Sequence, residues 1–221
     1  MCYSEEQSKV SLIINIITCY VLYTHKNSTP THKILALFFA FVGIMQLFDI
    51  IFWRNQNIQH PYEAYINYTT TKIAMFFNHF QPIILAYLIY TFKNTLGHTS
   101  KNILPIYSII ILFYTIYTYN NIKYTLIEQI DTRNTITTER VPTLKWEWNI
   151  QQNSLFVYLV FLLTLVILFY ENFTYPFNII LALINITTFI LSAYYYKGKS
   201  LGRFWCKFAA WIPLLFIFIR I

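Results

Sequence analysis

Seven stretches of the chain are almost wholly apolar and are parted by polar runs: 10–23, 34–53, 73–92, 103–119, 155–170, 177–196 and 204–219. A helix needs about 20 mostly apolar residues, within a range of about 17–25, to cross the hydrocarbon core of a bilayer. Polar runs close the stretches: His25 to Pro30 after the first, Arg54 to Asn57 after the second, Lys72 before the third and Lys93-Asn94 after it. The pattern predicts an all-α fold: a polytopic membrane protein, a bundle of about seven transmembrane helices in a single domain over 1–221, its termini on opposite sides. The stretch 10–23 is short and either spans or lies in the interface. The residues at its end, Cys19 to Thr24, are bulky where a signal peptidase needs small side chains, so a retained first helix is expected.

Aromatic residues stand at the borders of these stretches: Trp53, Tyr90, Tyr119, Trp146, Trp148, Tyr170, Tyr194 and Trp205. Such rings favour the headgroup level of a membrane. One connector is long and polar, 120–149, and its segment 124–130 alternates loosely in polarity, so it can form a small hairpin over the membrane. With seven spans, the N-terminus and the second, fourth and sixth loops share a face, here called the even-loop face. It carries Lys9, Arg54, Lys72, Lys123, Arg133, Arg140, Lys145, Lys197, Lys199 and Arg203, against Lys26, Lys33, Lys93, Lys101 and Arg220 on the other. The excess favours a cytoplasmic even-loop face. Without the long loop it shrinks to six against five, and sidedness stays open.

Composition agrees with a lipid solvent. The 221 residues are 57% hydrophobic, 20% aromatic and 11% charged, whereas soluble domains carry about 25% charged residues. The net charge of +7 is spread as single cations at the ends of apolar stretches. Its expected partner is a bilayer, not nucleic acid. Cys2, Cys19 and Cys206 are too scattered for a disulfide framework or a CxxC metal site.

Ionisable and amide side chains at membrane depth are costly and mark either a functional site or a structural pair. Gln46 and Asp49 lie about one turn apart near the end of the second stretch; Asn78, His79 and Gln81, followed by Pro82, lie in the first half of the third; Lys207 lies just inside the seventh. All six fall in one leaflet and form the candidate intramembrane polar site, with Glu147 and Asn149 as secondary members at the mouth of the fifth stretch. Asp49 and Lys207 are expected to pair; a purely structural tie, a solute or ion site, and snorkelling past the headgroups are the readings open to them. His79 is either a proton acceptor or a ring bonded to a neighbour. Pro82 is expected to kink the third helix and free the Asn78 carbonyl. The cluster is expected to line a cavity open to the even-loop face, the alternative being a closed knot of hydrogen bonds.

Catalytic chemistry finds no set of residues. Of His25, His32, His60, His79 and His98, only His79 falls inside a predicted span, and no HxxxH or HExxH spacing occurs. Four glycines cannot build a phosphate-cradling loop, and Ser154 and Ser192 have no histidine near in sequence. No enzyme, cofactor or metal is expected. Lys207 in the last helix invites a retinal reading, but it sits near the helix start and the third span holds no carboxylate to balance a Schiff base. Two functions from different classes remain: small-solute or ion transport or sensing through the cluster, and a non-catalytic membrane scaffold with a structural polar network.

Four signatures together carry a resemblance: Gln46-x-x-Asp49 with Trp53, Asn78-His79-Phe80-Gln81-Pro82, Trp146-x-Trp148-Asn149, and Gly202-x-x-Trp205-Cys206. They resemble a family of uncharacterised seven-span membrane proteins encoded by large DNA viruses of algae and protists. The resemblance implies a multi-pass fold in a host or viral membrane and carries over no activity. It also implies a small residue where Arg203 stands and an aromatic where Lys207 stands, which would make Lys207 peculiar to this sequence.

Overall fold

The computed structural model describes residues 4–131, 140–195 and 203–220. The helices are α1 Glu5–Thr24, α2 Pro30–Arg54, α3 Pro61–His79, α4 Gln81–Lys93, α5 His98–Asn121, α6 Ser154–Asn172, α7 Phe177–Tyr195, α8 Arg203–Ala209 and α9 Ile212–Arg220. Local chemistry starts them where they start. Ser4 caps α1 by accepting from the Gln7 amide at 3.2 Å, with Glu5 and Glu6 in the first turn. Thr29 caps α2 in a capping box with His32, and Pro30 follows at the first helical position. Asn94, in the left-handed region at φ 56°, ends α4.

Helix α2 is the axis of the bundle. It packs on α1, α3, α4, α8 and α9, and the others close around it: α1 meets α9, α5 meets α6, α6 meets α4 and α7, and α7 meets α8. Four helices, α2, α5, α6 and α7, are long and apolar enough to cross a membrane. The pair α3 and α4, bent by 51° at Phe80, makes a fifth if taken as one span.

Polarity runs inside out. On α1 the buried stripe is Ser8, Ser11, Asn15, Thr18, Cys19 and Leu22, while Val10, Ile13, Ile16 and Ile17 face outward, each about half exposed or more. Helix α5 buries Ser100, Thr115 and Thr118 and exposes Ile106, Ile109, Leu112 and Phe113. Helix α7 buries Asn185, Thr188 and Ser192 and exposes Leu183 and Ile190. A helix packed in water shows the reverse arrangement.

Several sequence expectations change. The third stretch, placed at 73–92, belongs to a longer unit: α3 begins at Pro61, and the bend divides it from α4. The seventh, placed at 204–219, is two short helices of 7 and 9 residues, parted at Ala210 and Trp211 just before Pro213. Trp146, Trp148 and Trp205 do not face outward as border anchors would; they are buried, with the Trp146 and Trp148 rings 5.1 Å apart. The reason is that the long loop folds back on the bundle, where its second strand touches α2 and the turn after it touches α6. Tyr90, Tyr119, Tyr170 and Tyr194 are exposed as that reading requires. His32, read as a loop residue, lies buried in the first turn of α2, because it completes the capping box.

The long loop does form a hairpin. Strands β1 Leu126–Asp131 and β2 Arg140–Lys145 pair antiparallel, with Leu126 opposite Lys145 and Asp131 opposite Arg140. Asn67 of α3 anchors its approach: the amide nitrogen donates to the Thr125 carbonyl at 3.0 Å, and the amide oxygen accepts from the Thr125 N–H at 2.9 Å.

Candidate functional site

The bend between α3 and α4 organises the site. Helix α3 stops when the Phe80 amide donates back to Phe76, and α4 restarts at Gln81-Pro82, where proline has no N–H to continue the ladder. The kink predicted at Pro82 is therefore present as a full break. The carbonyl taken up by a side chain is that of His79, not Asn78: the Tyr107 hydroxyl of α5 donates to it.

Three residues around the break reach three different helices. The Asn78 amide donates to the Tyr158 hydroxyl of α6 at 2.7 Å. His79 Nδ1 meets the Thr115 hydroxyl of α5 at 2.7 Å. Gln81 Oε1 accepts from the Trp205 indole of α8 at 3.0 Å. Tyr114, whose ring centre lies 5.5 Å from that of His79, donates its hydroxyl to the Trp148 carbonyl at 2.6 Å. Gln46 and Asp49 are buried on α2. The expected pairing of Asp49 with Lys207 lies outside the described side chains, although Lys207 itself is in α8. Of the secondary members, Asn149 is buried. Glu147 is not part of the cluster: it holds Lys145 at 2.7 Å on the surface, and that bond raises the Lys145 pKa above its ordinary value.

Among the described residues the expected cluster is closed and does not line an open cavity. Gln46, Asp49, Asn78, His79 and Gln81 are each 3% exposed or less. Tyr107, Tyr114, Tyr158, Trp148 and Trp205, which contact the cluster or the residues beside it, are buried with it. Yet the closed site is not fully satisfied. His79 Nε2, Gln81 Nε2, the indole nitrogens of Trp146 and Trp148, and Asn149 Oδ1 are buried with no hydrogen-bond partner among the described residues. Either partner of the His79–Thr115 bond can donate, so His79 Nε2 is a donor in one ring tautomer and an acceptor in the other. Gln81 Nε2 and the two indole nitrogens are donors in either case.

Sequence reasoning missed Tyr107, Tyr114, Thr115, Tyr158 and Trp205 as site residues. A signal for the α5 members was available: residues 107, 111, 114, 115 and 118 follow helical spacing, and the structure buries all five.

Two charged clamps hold α5, one at each end. At its N-terminus the Glu171 carboxylate of α6 accepts from the Thr99 amide at 2.9 Å and from the Ser100 amide and hydroxyl at 2.7 Å each. No α5 side chain caps that end, and a Cβ on Gly97 would lie 2.1 Å from the Glu171 carboxyl carbon. At its C-terminus the Lys72 ammonium donates to the Tyr119 and Ile122 carbonyls and lies 4.6 Å from the centre of the Tyr119 ring. An anion at the start of a helix and a cation at its end both oppose the macrodipole favourably. His79 lies seven residues beyond Lys72 along α3, about 10 Å at 1.5 Å per residue. Comparison with protein-family models, curated proteins and solved structures returns no match.

Proposed function

We propose that this chain is a seven-span integral membrane protein that takes a small polar solute into a closed site at the α3–α4 break, as a transporter or sensor. The membrane part rests on the inside-out polarity of α1, α5 and α7. Helix α1, with 20 residues, is about 30 Å long at 1.5 Å per residue, enough for one crossing. The buried polar stripe that lowers its hydropathy is met inside the bundle: the Asn15 amide donates to the Phe39 and Ala210 carbonyls at 3.2 Å each, and Trp211 donates to Ser11. The α8–α9 pair supplies the seventh crossing. Cysteines introduced at Thr29, Thr99 and Lys199 test the count: the first two label from one side and the third from the other. All three on one side overturns it.

One observation carries the solute site: the buried His79 and Gln81 side chains, which flank the break between α3 and α4, each keep a nitrogen with no hydrogen-bond partner among the described residues. Each orphaned polar atom costs about 1–3 kcal/mol, and natural folds keep very few of them. Broken helices buried in protein are also how transporters build sites near the membrane midplane. A small polar solute that accepts from the Gln81 amide nitrogen and shares a hydrogen bond with His79 Nε2 matches this pair. The scaffold reading is favoured by a different observation: Asn78, His79 and Gln81 each tie a separate helix, as purely structural residues would. One measurement separates the two. In a chain freed of Cys2, Cys19 and Cys206, Asn78→Cys is exposed to a membrane-impermeant thiol reagent from each side in turn. A site that opens gives slow labelling from one side; a structural knot is protected from both, and that result overturns the solute reading.

A further inference from the structure

Residues 25–29 join α1 to α2, and two imidazole rings hold this turn. His25 ends α1, where its N–H donates to the Val21 carbonyl at 3.0 Å, and its Nδ1 accepts from the Asn27 N–H at 3.2 Å. His32, in the first turn of α2, accepts at Nδ1 from the Thr29 N–H at 3.1 Å and meets the Thr29 hydroxyl at 2.8 Å. A backbone N–H can only donate, so both Nδ1 atoms are bare and each neutral ring carries its proton on Nε2. A capping box ordinarily has Glu or Gln where His32 stands. Glutamine accepts at any pH, whereas histidine accepts only while Nδ1 carries no proton.

The surroundings of His32 suit a neutral ring. The residue is 3% exposed, and its Nε2 has no hydrogen-bond partner among the described residues. A protonated ring held in place would give up the Thr29 N–H and keep an unpaired charge in a buried site. From α1, His25 is near enough to act on it electrostatically, and Lys26 follows in the turn; on α2 itself Lys33 is next in sequence. Helix α7 meets His32 with the Phe177 ring, 5.3 Å away and nearly perpendicular, and has no acidic or basic residue. Phe177 stacks in turn on Phe216 of α9, whose one charged residue, Arg220, has its side chain outside the described residues.

We propose that His25 and His32 form an acid-released latch: neutral, they hold the α1–α2 turn and the first turn of α2 closed, and protonated, they release both. The latch does not rest on the solute site. An opened turn binds protons as ordinary histidines do, near pH 6.5 or about that. The closed turn binds them only by breaking the bonds that close it. Closure is therefore complete above that pH and weakens as pH falls below it. At about pH 5 the opening equilibrium shifts by up to about 30-fold for each ring that stays neutral while closed.

Hydrogen exchange of the full chain in micelles, read by mass spectrometry and corrected for the intrinsic effect of pH on exchange, tests the latch at about pH 7.5 and about pH 5. Peptides over 25–33 are expected to lose protection by about tenfold or more at the lower pH, while peptides of α5 keep theirs. His32→Gln restores the usual capping-box acceptor, and His25→Asn accepts the N–H two residues on, as an Asx turn does. The double variant is expected to keep the turn closed at both pH values. Should that variant fail to fold, the imidazole nitrogen resonances of the wild type decide: both rings stay in the Nε2–H form until the turn opens. Unchanged wild-type protection at about pH 5, a double variant that still loses it, or rings that charge while the turn stays protected overturns the latch. So does a loss of protection throughout the bundle, which is global acid unfolding. Alkylation at Asn78→Cys is read independently, so either inference can fail without the other.

Discussion

Replacing Glu171 by Gln tests whether α5 is held by a carboxylate from another helix. The carboxylate has two oxygens: one takes the Thr99 amide, and the other takes the Ser100 amide and hydroxyl. Glutamine keeps one oxygen and replaces the other with an NH2 group, which cannot accept. At least one backbone N–H of the first turn then loses its partner. Hydrogen bonds to charged groups contribute about 1.5–3 kcal/mol, and loss of an anion at a helix start costs a further 0.3–1 kcal/mol or about that. Glu171 is only half-buried, so water replaces part of what is lost, and about 2 kcal/mol is the expected destabilisation. That is a factor of about 30 in the folding equilibrium. Equilibrium unfolding in mixed micelles, with increasing fractions of a denaturing detergent, measures it. Gly97→Ala is the companion variant, because its added Cβ drives into the same carboxyl group. The two changes attack one contact, so the double variant loses less than the sum. Glu171→Gln with wild-type stability, or full additivity with Gly97→Ala, refutes the cap.

Other expectations follow from buried contacts. Tyr158→Phe leaves the Asn78 amide without its acceptor at a buried position and is expected to destabilise by about 1–2 kcal/mol, whereas Asn78→Leu with Tyr158→Phe recovers much of the loss; the same unfolding assay reads both. Gly43→Ala puts a Cβ 2.0 Å from Asn15 Oδ1 and forces out an amide that ties α1 to α2 and to the α8–α9 break; about 2 kcal/mol is lost, and Asn15→Ala in the same chain restores part of it. Lys72→Met removes the donor to the Tyr119 and Ile122 carbonyls and is expected to raise hydrogen exchange in the last turn of α5 while leaving its first turn unchanged.

The sequence made the helices legible because lipid imposes length and apolarity on each crossing. Asn78, His79 and Gln81 were readable for the same reason: amides and imidazole are conspicuous among Ile, Phe and Leu. Their partners were not. Tyr107, Tyr114, Tyr158 and Trp205 are amphipathic, and a tyrosine in a membrane helix reads equally as a headgroup anchor and as a buried donor. Only the arrangement of α5, α6 and α8 around the break decides between these. Position in the chain likewise hid the start of α3, since Asn67 looks like a loop residue until Thr125, at the approach to the hairpin, is seen to bond it. Lys72 looked like a border charge, and Glu171 stands just past the end of the fifth predicted stretch. Each is indeed at a border, but its role comes from a backbone terminus about 50 to 70 residues away, which no local pattern records.

Those two clamps bear on how the bundle works. Helix α5 is the least buried of the four long apolar helices, with 28% of its apolar window inside the protein. In lipid, apolar contact with a neighbouring helix is little better than contact with acyl chains, so a sparsely packed helix depends on hydrogen bonds and close fit. Helix α5 places those bonds at its ends, to Glu171 and Lys72, and at one level in between, through Tyr107, Tyr114 and Thr115 to the α3–α4 break and the Trp148 carbonyl. The wall of the closed site is therefore contributed by the helix with the least apolar packing to hold it. Any opening of that site has its smallest packing loss at α5, and the end clamps keep the helix attached while its middle contacts exchange.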